Sequence, residues 1–210
     1  MTYADFTLDS ILEQFKIGPI PSILFPDLKP VEMPSWLMEM LNGSPLVSSM
    51  NEKARSEFLI APILVAVSKL SGNRVAVFSG VKLNVEPLVG LAGECDFILS
   101  DGPPILPLRS PLIAVLEAKR GDIELGMGQC TAQMIAASRF NAAAGQTNRA
   151  VYGCVTSAEI WQFMRLKGAL LEQHSRRYYL DDIENILAMF LAIIGSTLAH
   201  PQAQNPPAQS

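Results

Sequence analysis

Histidine is nearly absent from this chain of 210 residues, which holds only His174 and His200. A Ser/His/Asp triad needs a histidine as its base, and histidine-rich metal clusters need several as ligands. His200 also falls in a tail rich in proline and glutamine. The sequence therefore argues against histidine-based catalysis and against a histidine-rich metal site.

Paired cysteines are missing as well. Cys95, Cys130 and Cys154 are far apart and show no CxxC spacing, so they suggest neither a disulfide framework nor a structural zinc site. We expect three reduced thiols and a cytoplasmic protein.

The chain also has no excess of basic residues. Lys and Arg number 16 against 20 Asp and Glu, which gives a net charge of -4 and a pI near 5.2. A surface covered with phosphate-binding cations is therefore not expected. Any contact with nucleic acid must depend on a local site.

Long apolar runs are also lacking. The longest uncharged apolar stretch, ILAMFLAIIGSTLA at 186–199, is shorter than the ~20 residues that span a bilayer, and it predicts a buried helix. The N-terminus carries early acidic residues and no basic start before an apolar run. We therefore expect no secretory signal and no membrane partner.

The length and the apolar content of 49% predict one domain with peripheral additions. Residues 1–48 are predicted to be a helical and proline-rich accessory segment, with an irregular loop at 18–34. Residues 49–197 are predicted to form the core domain, in which Ser49 and Glu52 match a capping box at the start of a long helix. Residues 198–210 hold too little apolar surface to pack, so we expect a disordered tail.

For the core, the sequence predicts the element order helix, strand, strand, strand, helix, strand, strand, helix. The third strand, in SPLIAVLEAKR, is almost continuously apolar, as expected for a strand covered on both faces. This order predicts an α/β sandwich, with a central mixed sheet flanked by helices.

Two charged residues end that apolar strand and share one of its faces, because Glu117 and Lys119 are two positions apart. Asp96 lies on the preceding strand, and pairing of the two strands would bring it close to Glu117. Two nearby carboxylates repel each other unless one is protonated or a divalent cation lies between them. Magnesium suits such oxygen ligands, so the pattern predicts a Mg²⁺ site, with Mn²⁺ as a substitute.

This arrangement of Asp96 and, about twenty residues later, Glu117-Ala118-Lys119 resembles the core of the PD-(D/E)XK nuclease superfamily. Members commonly carry an acidic residue in the preceding helix, where Glu57 stands. Some carry a glutamine in the following helix, where Gln129 and Gln133 stand. The resemblance spans roughly residues 49–167 and implies a restriction-endonuclease-like α/β fold.

The resemblance also implies roles for these residues. Glu57, Asp96 and Glu117 would bind the metal together with the backbone carbonyl of Ala118. Lys119 would position or deprotonate the nucleophilic water. One or both of Gln129 and Gln133 would contact Lys119 or the substrate. The implied activity is metal-dependent hydrolysis of phosphodiester bonds in DNA or RNA.

Other interpretations of the same residues stay open. Glu117 and Lys119 also match a solvent-facing ion pair at a strand end, Glu57 a solvated helix residue, and the two glutamines ordinary helix formers. The SRRYY segment at 175–179 is typical either of a single-strand nucleic-acid binder or of a strand edge. The acidic pI favours a catalytically idle binding or assembly module over a nuclease that acts alone. A third alternative is a nuclease that cuts only with a more basic partner subunit, and a homodimer is also open.

Overall fold

A mixed eight-stranded sheet organises the chain, and the computed structural model describes residues 1–43, 51–103, 107–119 and 121–198. The strands are β1 (Gly18–Ser22), β2 (Val75–Lys82), β3 (Glu94–Asp101), β4 (Leu112–Ala118), β5 (Val151–Thr156), β6 (Ile160–Lys167), β7 (Leu170–His174) and β8 (Tyr178–Tyr179). The helices are α1 (Leu8–Phe15), α2 (Ser35–Asn42), α3 (Glu52–Arg55), α4 (Ala61–Leu70), α5 (Glu124–Ala143) and α6 (Ile183–Leu198). A π-helical turn at Ser56–Ile60 joins α3 to α4.

The strands follow the spatial order β1-β7-β6-β5-β4-β3-β2, and β8 extends the edge of β6. Two pairs are parallel, β1 with β7 and β4 with β5, while the other pairs are antiparallel. The helix α5 connects β4 to β5, as the crossover between parallel neighbours requires. β4 is buried along its whole length, which explains its continuous apolar sequence.

Helices cover both faces of this sheet. On one face α4 and α6 pack against residues such as Leu116 and Phe163, and α2 lies beside α4. On the other face α5 packs against residues such as Val115 and Val155, and α1 lies on α5. The predicted α/β sandwich, a mixed sheet flanked by helices, is therefore confirmed.

The last helix, α6, matches the predicted buried helix, since Leu187, Met189 and Phe190 have no appreciable exposure. Among the described residues, no helix has the length and apolar character that crossing a bilayer requires. The three cysteines are free and buried.

The proline-rich stretch predicted to be a loop is in part a strand. Residues 18–22 form β1, which pairs in parallel with β7 from Gly18–Leu170 to Ser22–His174. Pro19 and Pro21 lack an amide hydrogen, and an edge strand tolerates this because one of its sides needs no partner. The loop prediction was wrong here, because the partner of this strand is distant in the sequence.

The long helix of the core also begins differently from the prediction. Its N-cap is Asn51, whose side chain accepts a hydrogen bond of 3.0 Å from the amide of Ala54. Ser49 lies outside the described residues, as do the predicted domain boundary at 48/49 and residues 199–210 of the predicted tail. Pro62 stands in the first turn of α4, directly after the π-helical turn.

Candidate active site

The carboxyl end of β4 places Glu117 on the face of the sheet that α5 covers. Val115, two residues earlier, packs in the apolar cluster beneath α5, and Glu117 follows it on the same face. The Glu117 residue is 2% exposed. An acidic side chain buried to this degree needs polar partners, because an isolated ionised carboxylate is costly to bury.

Asp96 reaches the same place from β3. The antiparallel register pairs Phe97 with Leu116, so the next step along the ladder brings Asp96 opposite Glu117. The Oδ2 atom of Asp96 accepts a hydrogen bond of 2.7 Å from the backbone amide of Ala118. Asp96 and Glu117 therefore lie on one face of adjacent strands, as the sequence predicted.

Lys119 and two glutamines complete a connected polar network around Glu117. The Nζ atom of Lys119 lies 2.7 Å from Oε1 of Glu117 and donates to Oε1 of Gln129 at 3.0 Å. The Nε2 atom of Gln133 donates to the other carboxylate oxygen, Oε2, at 2.7 Å. The structure thus brings both glutamines of α5 to the end of β4, one on Lys119 and one on Glu117.

A glycine allows α5 to approach this network closely. A Cβ atom added to Gly126 would lie 2.7 Å from Cγ1 of Val155 and 3.0 Å from Cγ of Lys119. Such distances are shorter than carbon atoms tolerate in packed proteins. Gly126 therefore lets the first turn of α5 rest on β5 and on the stem of Lys119, a constraint that sequence reasoning missed.

The pKa values at the site reflect burial and the proximity of the two carboxylates. Burial, and then the charge of Asp96, raise the pKa of Glu117 to about 7, although Lys119 and Gln133 oppose this rise. Burial also raises the pKa of Asp96, against the stabilising effect of the Ala118 amide and of Lys119. The pair is therefore poised to take up a proton or a cation near neutral pH.

The pKa of Lys119 moves upward as well. Burial alone would lower it, but the hydrogen bond and charge of Glu117 outweigh that effect and raise it above its usual value. Lys119 is therefore an ammonium ion in this arrangement and acts as a hydrogen-bond donor and a positive charge.

Two acidic residues of the preceding helix are placed differently from what the resemblance implies. Glu57 lies on the π-helical turn with its side chain 55% exposed, and it pairs with Lys53 at 3.9 Å. Glu52, at the start of α3, is close enough for its charge to raise the pKa of both Asp96 and Lys119. Sequence reasoning gave Glu52 a capping role only, whereas its charge acts on two residues of the site.

One atom of the network lacks a partner. The Oε1 atom of Gln133 is buried and accepts no hydrogen bond from any residue that the structure describes. A buried acceptor without a donor costs about 1–3 kcal/mol, so it marks a place where a water molecule or a protonated Glu117 would be stabilised.

The donor set can be tested against a divalent cation. Across residues 1–43, 51–103, 107–119 and 121–198, no three His, Cys, Asp or Glu side chains form a group that could hold a metal ion. Asp96 and Glu117 do present hard oxygen atoms on one face, and Mg²⁺ is often held by one or two carboxylates together with water and substrate phosphates. A magnesium ion here would therefore have Asp96 and Glu117 as its carboxylate ligands.

The buried thiols do not form an alternative catalytic centre. Burial is the largest cause that raises the pKa of Cys95, Cys130 and Cys154 above its ordinary value. A thiol with a raised pKa is a poor nucleophile because the reactive form is the thiolate. The chemistry of this end of the sheet therefore belongs to the carboxylates and Lys119.

Comparisons of the sequence with protein-family models and with curated proteins find no match.

Proposed function

We propose that this chain is a metal-dependent phosphodiester hydrolase, a nuclease of the PD-(D/E)XK type that acts on DNA or RNA. The observation that carries the proposal is the meeting of Asp96 and Glu117 on one face, with the ammonium of Lys119 at 2.7 Å from Glu117. Two carboxylates and one cation at a strand end are the groups that metal-assisted phosphodiester hydrolysis needs.

Asp96 and Glu117 would hold the Mg²⁺ or Mn²⁺ ion, together with the backbone carbonyl of Ala118. When bound, the ion supplies a lowered pKa for a water molecule and stabilises negative charge on the phosphate. The charge of Glu52 acts on Asp96 and Lys119, and it favours a cation at this place. A ligand role for Glu57 stays a prediction of the resemblance.

The other residues hold the reacting groups in place. The ammonium of Lys119 donates to Gln129 and Glu117, so its position is fixed from two sides. From there it orients a water molecule or neutralises a non-bridging phosphate oxygen. Gln133 fixes the Glu117 carboxylate through Oε2, which sets the direction of its other oxygen.

A nuclease assay over single- and double-stranded DNA and RNA, with Mg²⁺ or Mn²⁺, tests this proposal. We expect Lys119→Ala to lower the cleavage rate by about 10²-fold or more. Lys167→Ala is the matched control, because Lys167 is an exposed lysine at the opposite end of the sheet, on β6. Equal rates for the wild type and Lys119→Ala would overturn the catalytic assignment.

A second candidate function is an idle binding or assembly module that keeps the same fold. The observation that favours it is that both oxygens of Glu117 already have partners, Lys119 and Gln133, within the protein. A thermal titration with Mg²⁺ separates the two functions. The nuclease is expected to gain about 5–10 °C in Tm at 100 times the Kd.

In the nuclease this gain is lost in Asp96→Asn and kept in Asp101→Asn, which alters an acidic residue at the far end of the same strand. An idle module shows no such metal-dependent gain in the wild type.

A further inference from the structure

A polar groove lies on the same face of the sheet, on the far side of the first turn of α5. Gln162, Gln173, Arg177 and Tyr179 contribute to its walls, and its volume is about 550 Å³. This volume is within the range of roughly 300–1,000 Å³ that organic ligands occupy in proteins. The groove has no role in the network around Glu117.

The groove is in line with the candidate active site. The sheet register joins Glu117 to Val155, and Val155 to Gln162, so the three residues form one row across β4, β5 and β6. Two strand spacings separate Glu117 from Gln162, about 9–10 Å. The turn of α5 that contains Gly126 rests on Val155 between them.

Arg177 supplies a cation to this groove. Its guanidinium donates to Oε1 of Gln162 at 3.3 Å and to Oε1 of Glu124, at the start of α5. The side chain of Arg177 is 41% exposed, and the side chain of Glu124 is 51% exposed. An exposed pair of this kind is weak, so a phosphate can replace the carboxylate as the acceptor.

The neighbouring arginine makes different contacts. Arg176 pairs with Asp182, and its guanidinium lies 4.8 Å from the ring centroid of Tyr178. It does not line the groove. The two adjacent arginines therefore offer a matched comparison.

Tyr179 supplies an aromatic surface beside Arg177. It is 53% exposed, although its neighbour Tyr178 is 3% exposed and packs in the core. Its backbone pairs with Ile160, which holds the ring at the sheet edge. An exposed ring next to an arginine is typical of surfaces where a base stacks and its phosphate is bound.

The overall charge restricts which nucleic acid suits this groove. Duplex binding draws mainly on contacts between many cations and phosphates, and this chain has a net charge of -4. Base stacking on an aromatic ring requires unpaired bases and few cations. The negative net charge and the exposed aromatic ring together favour a single-stranded nucleic acid over a duplex.

We infer that the groove of Gln162, Gln173, Arg177 and Tyr179 binds one unpaired strand of nucleic acid next to the bond that is cleaved. Tyr179 stacks on a base, and Arg177 leaves Glu124 to bind a phosphate. Gln162 holds the Arg177 side chain, because its amide nitrogen donates to the carbonyl of His174 at 2.7 Å and its amide oxygen accepts from Arg177. This inference is based on the proposed nuclease function and adds the substrate class, single-stranded nucleic acid.

Fluorescence anisotropy of a labelled oligothymidylate, titrated with the full chain in EDTA, tests the groove without cleavage. We expect Tyr179→Ala to weaken binding about tenfold and Tyr179→Phe to leave it unchanged, because stacking needs the ring only. Arg177→Gln is expected to weaken binding several-fold, and Arg176→Gln is the control that does not. A duplex of equal length is expected to bind more weakly than the single strand.

Equal affinity of the wild type and Tyr179→Ala, tighter binding of the duplex, or no binding to the wild type would each overturn the inference. Circular dichroism of each variant establishes that it is folded. Cleavage that depends on Lys119 without any dependence of binding on Tyr179 would refute the groove and leave the nuclease. Binding that depends on Tyr179 in a protein that cleaves no substrate would refute the nuclease and leave the groove.

Discussion

The side-chain amide of Gln133 donates a hydrogen bond of 2.7 Å to the carboxylate of Glu117, and both residues are buried. This contact joins the middle of α5 to the end of β4. It satisfies one oxygen of a carboxylate that water reaches poorly, so it bears on both the stability of the fold and the protonation of the site.

Replacing this donor by an apolar side chain of similar size is expected to destabilise the protein. Gln133→Met leaves Oε2 of Glu117 without its donor and should lower the free energy of unfolding by about 1–3 kcal/mol. Gln129→Met is the control, because Gln129 is only half-buried and accepts from Lys119. Urea unfolding at pH 8 measures the free energy of unfolding of both variants. Equal losses in the two variants would contradict the proposed importance of the hydrogen bond from Gln133 to Glu117.

Stability should depend on pH through Glu117. Its pKa rises from an ordinary 4.5 to about 7 in the folded protein, so the folded state holds this proton after the unfolded state has released it. The free energy of unfolding should therefore fall as the pH rises between about 4.5 and 7, by roughly 1.4 kcal/mol per pH unit from this group. Below about pH 4.5 the stabilisation that Glu117 contributes to the folded state is fully present.

Metal-free unfolding measured across this range checks the expected slope. In Glu117→Gln the part of the slope due to this group should vanish, whereas Glu57→Gln, which alters an exposed glutamate, should keep it. A wild-type slope no more negative than that of Glu117→Gln would contradict the raised pKa of Glu117.

The two acidic residues of the first core helix should differ in their effect on activity. Because the charge of Glu52 acts on Asp96 and Lys119, Glu52→Gln should lower metal-dependent cleavage by roughly tenfold, equivalent to about 1.4 kcal/mol in the barrier. Glu57→Gln should change the rate less than about twofold. Cleavage rates at limiting Mg²⁺ distinguish the two, and the reverse order would restore Glu57 as the third carboxylate.

The N-terminal segment should prove inseparable from α5. A Cβ atom at Gly128 would lie 2.3 Å from the backbone carbon of Thr7, and backbone atoms cannot move aside cheaply. Gly128→Ala should therefore lower the free energy of unfolding by about 1–3 kcal/mol or more. Gly195→Ala, in α6, should instead stabilise by up to about 1 kcal/mol, because an added Cβ atom would meet no atom of another described element within 4 Å. Thermal unfolding of the two variants gives the comparison.

Much of the site follows from local rules of sequence. The two-residue period of a strand places Glu117 and Lys119 on one face, and the pairing of β3 with β4 adds Asp96. The spacing of four residues places Gln129 and Gln133 on one helix face. These patterns need only neighbouring elements, so they can be predicted without the whole fold.

Other parts of the site and the groove depend on features that sequence patterns do not predict. A π-helical turn at Ser56–Ile60 contains Glu57, and sequence reasoning that assumes a regular α-helix does not predict this turn. The groove of Arg177 and Tyr179 needs the positions of β6, β7 and α5 together. Such long-range arrangements leave no periodic signal in a single sequence.

The pairing of β1 with β7 also sets the order in which the molecule can be completed during synthesis. Gly18 leaves the ribosome early, but its partner Leu170 is made about 150 residues later. Contacts between such distant segments form slowly because a long loop must close first. β1 can therefore enter the sheet only after β7 has been made, and until then its two prolines, which lack an amide hydrogen, disfavour pairing of this strand with other chains.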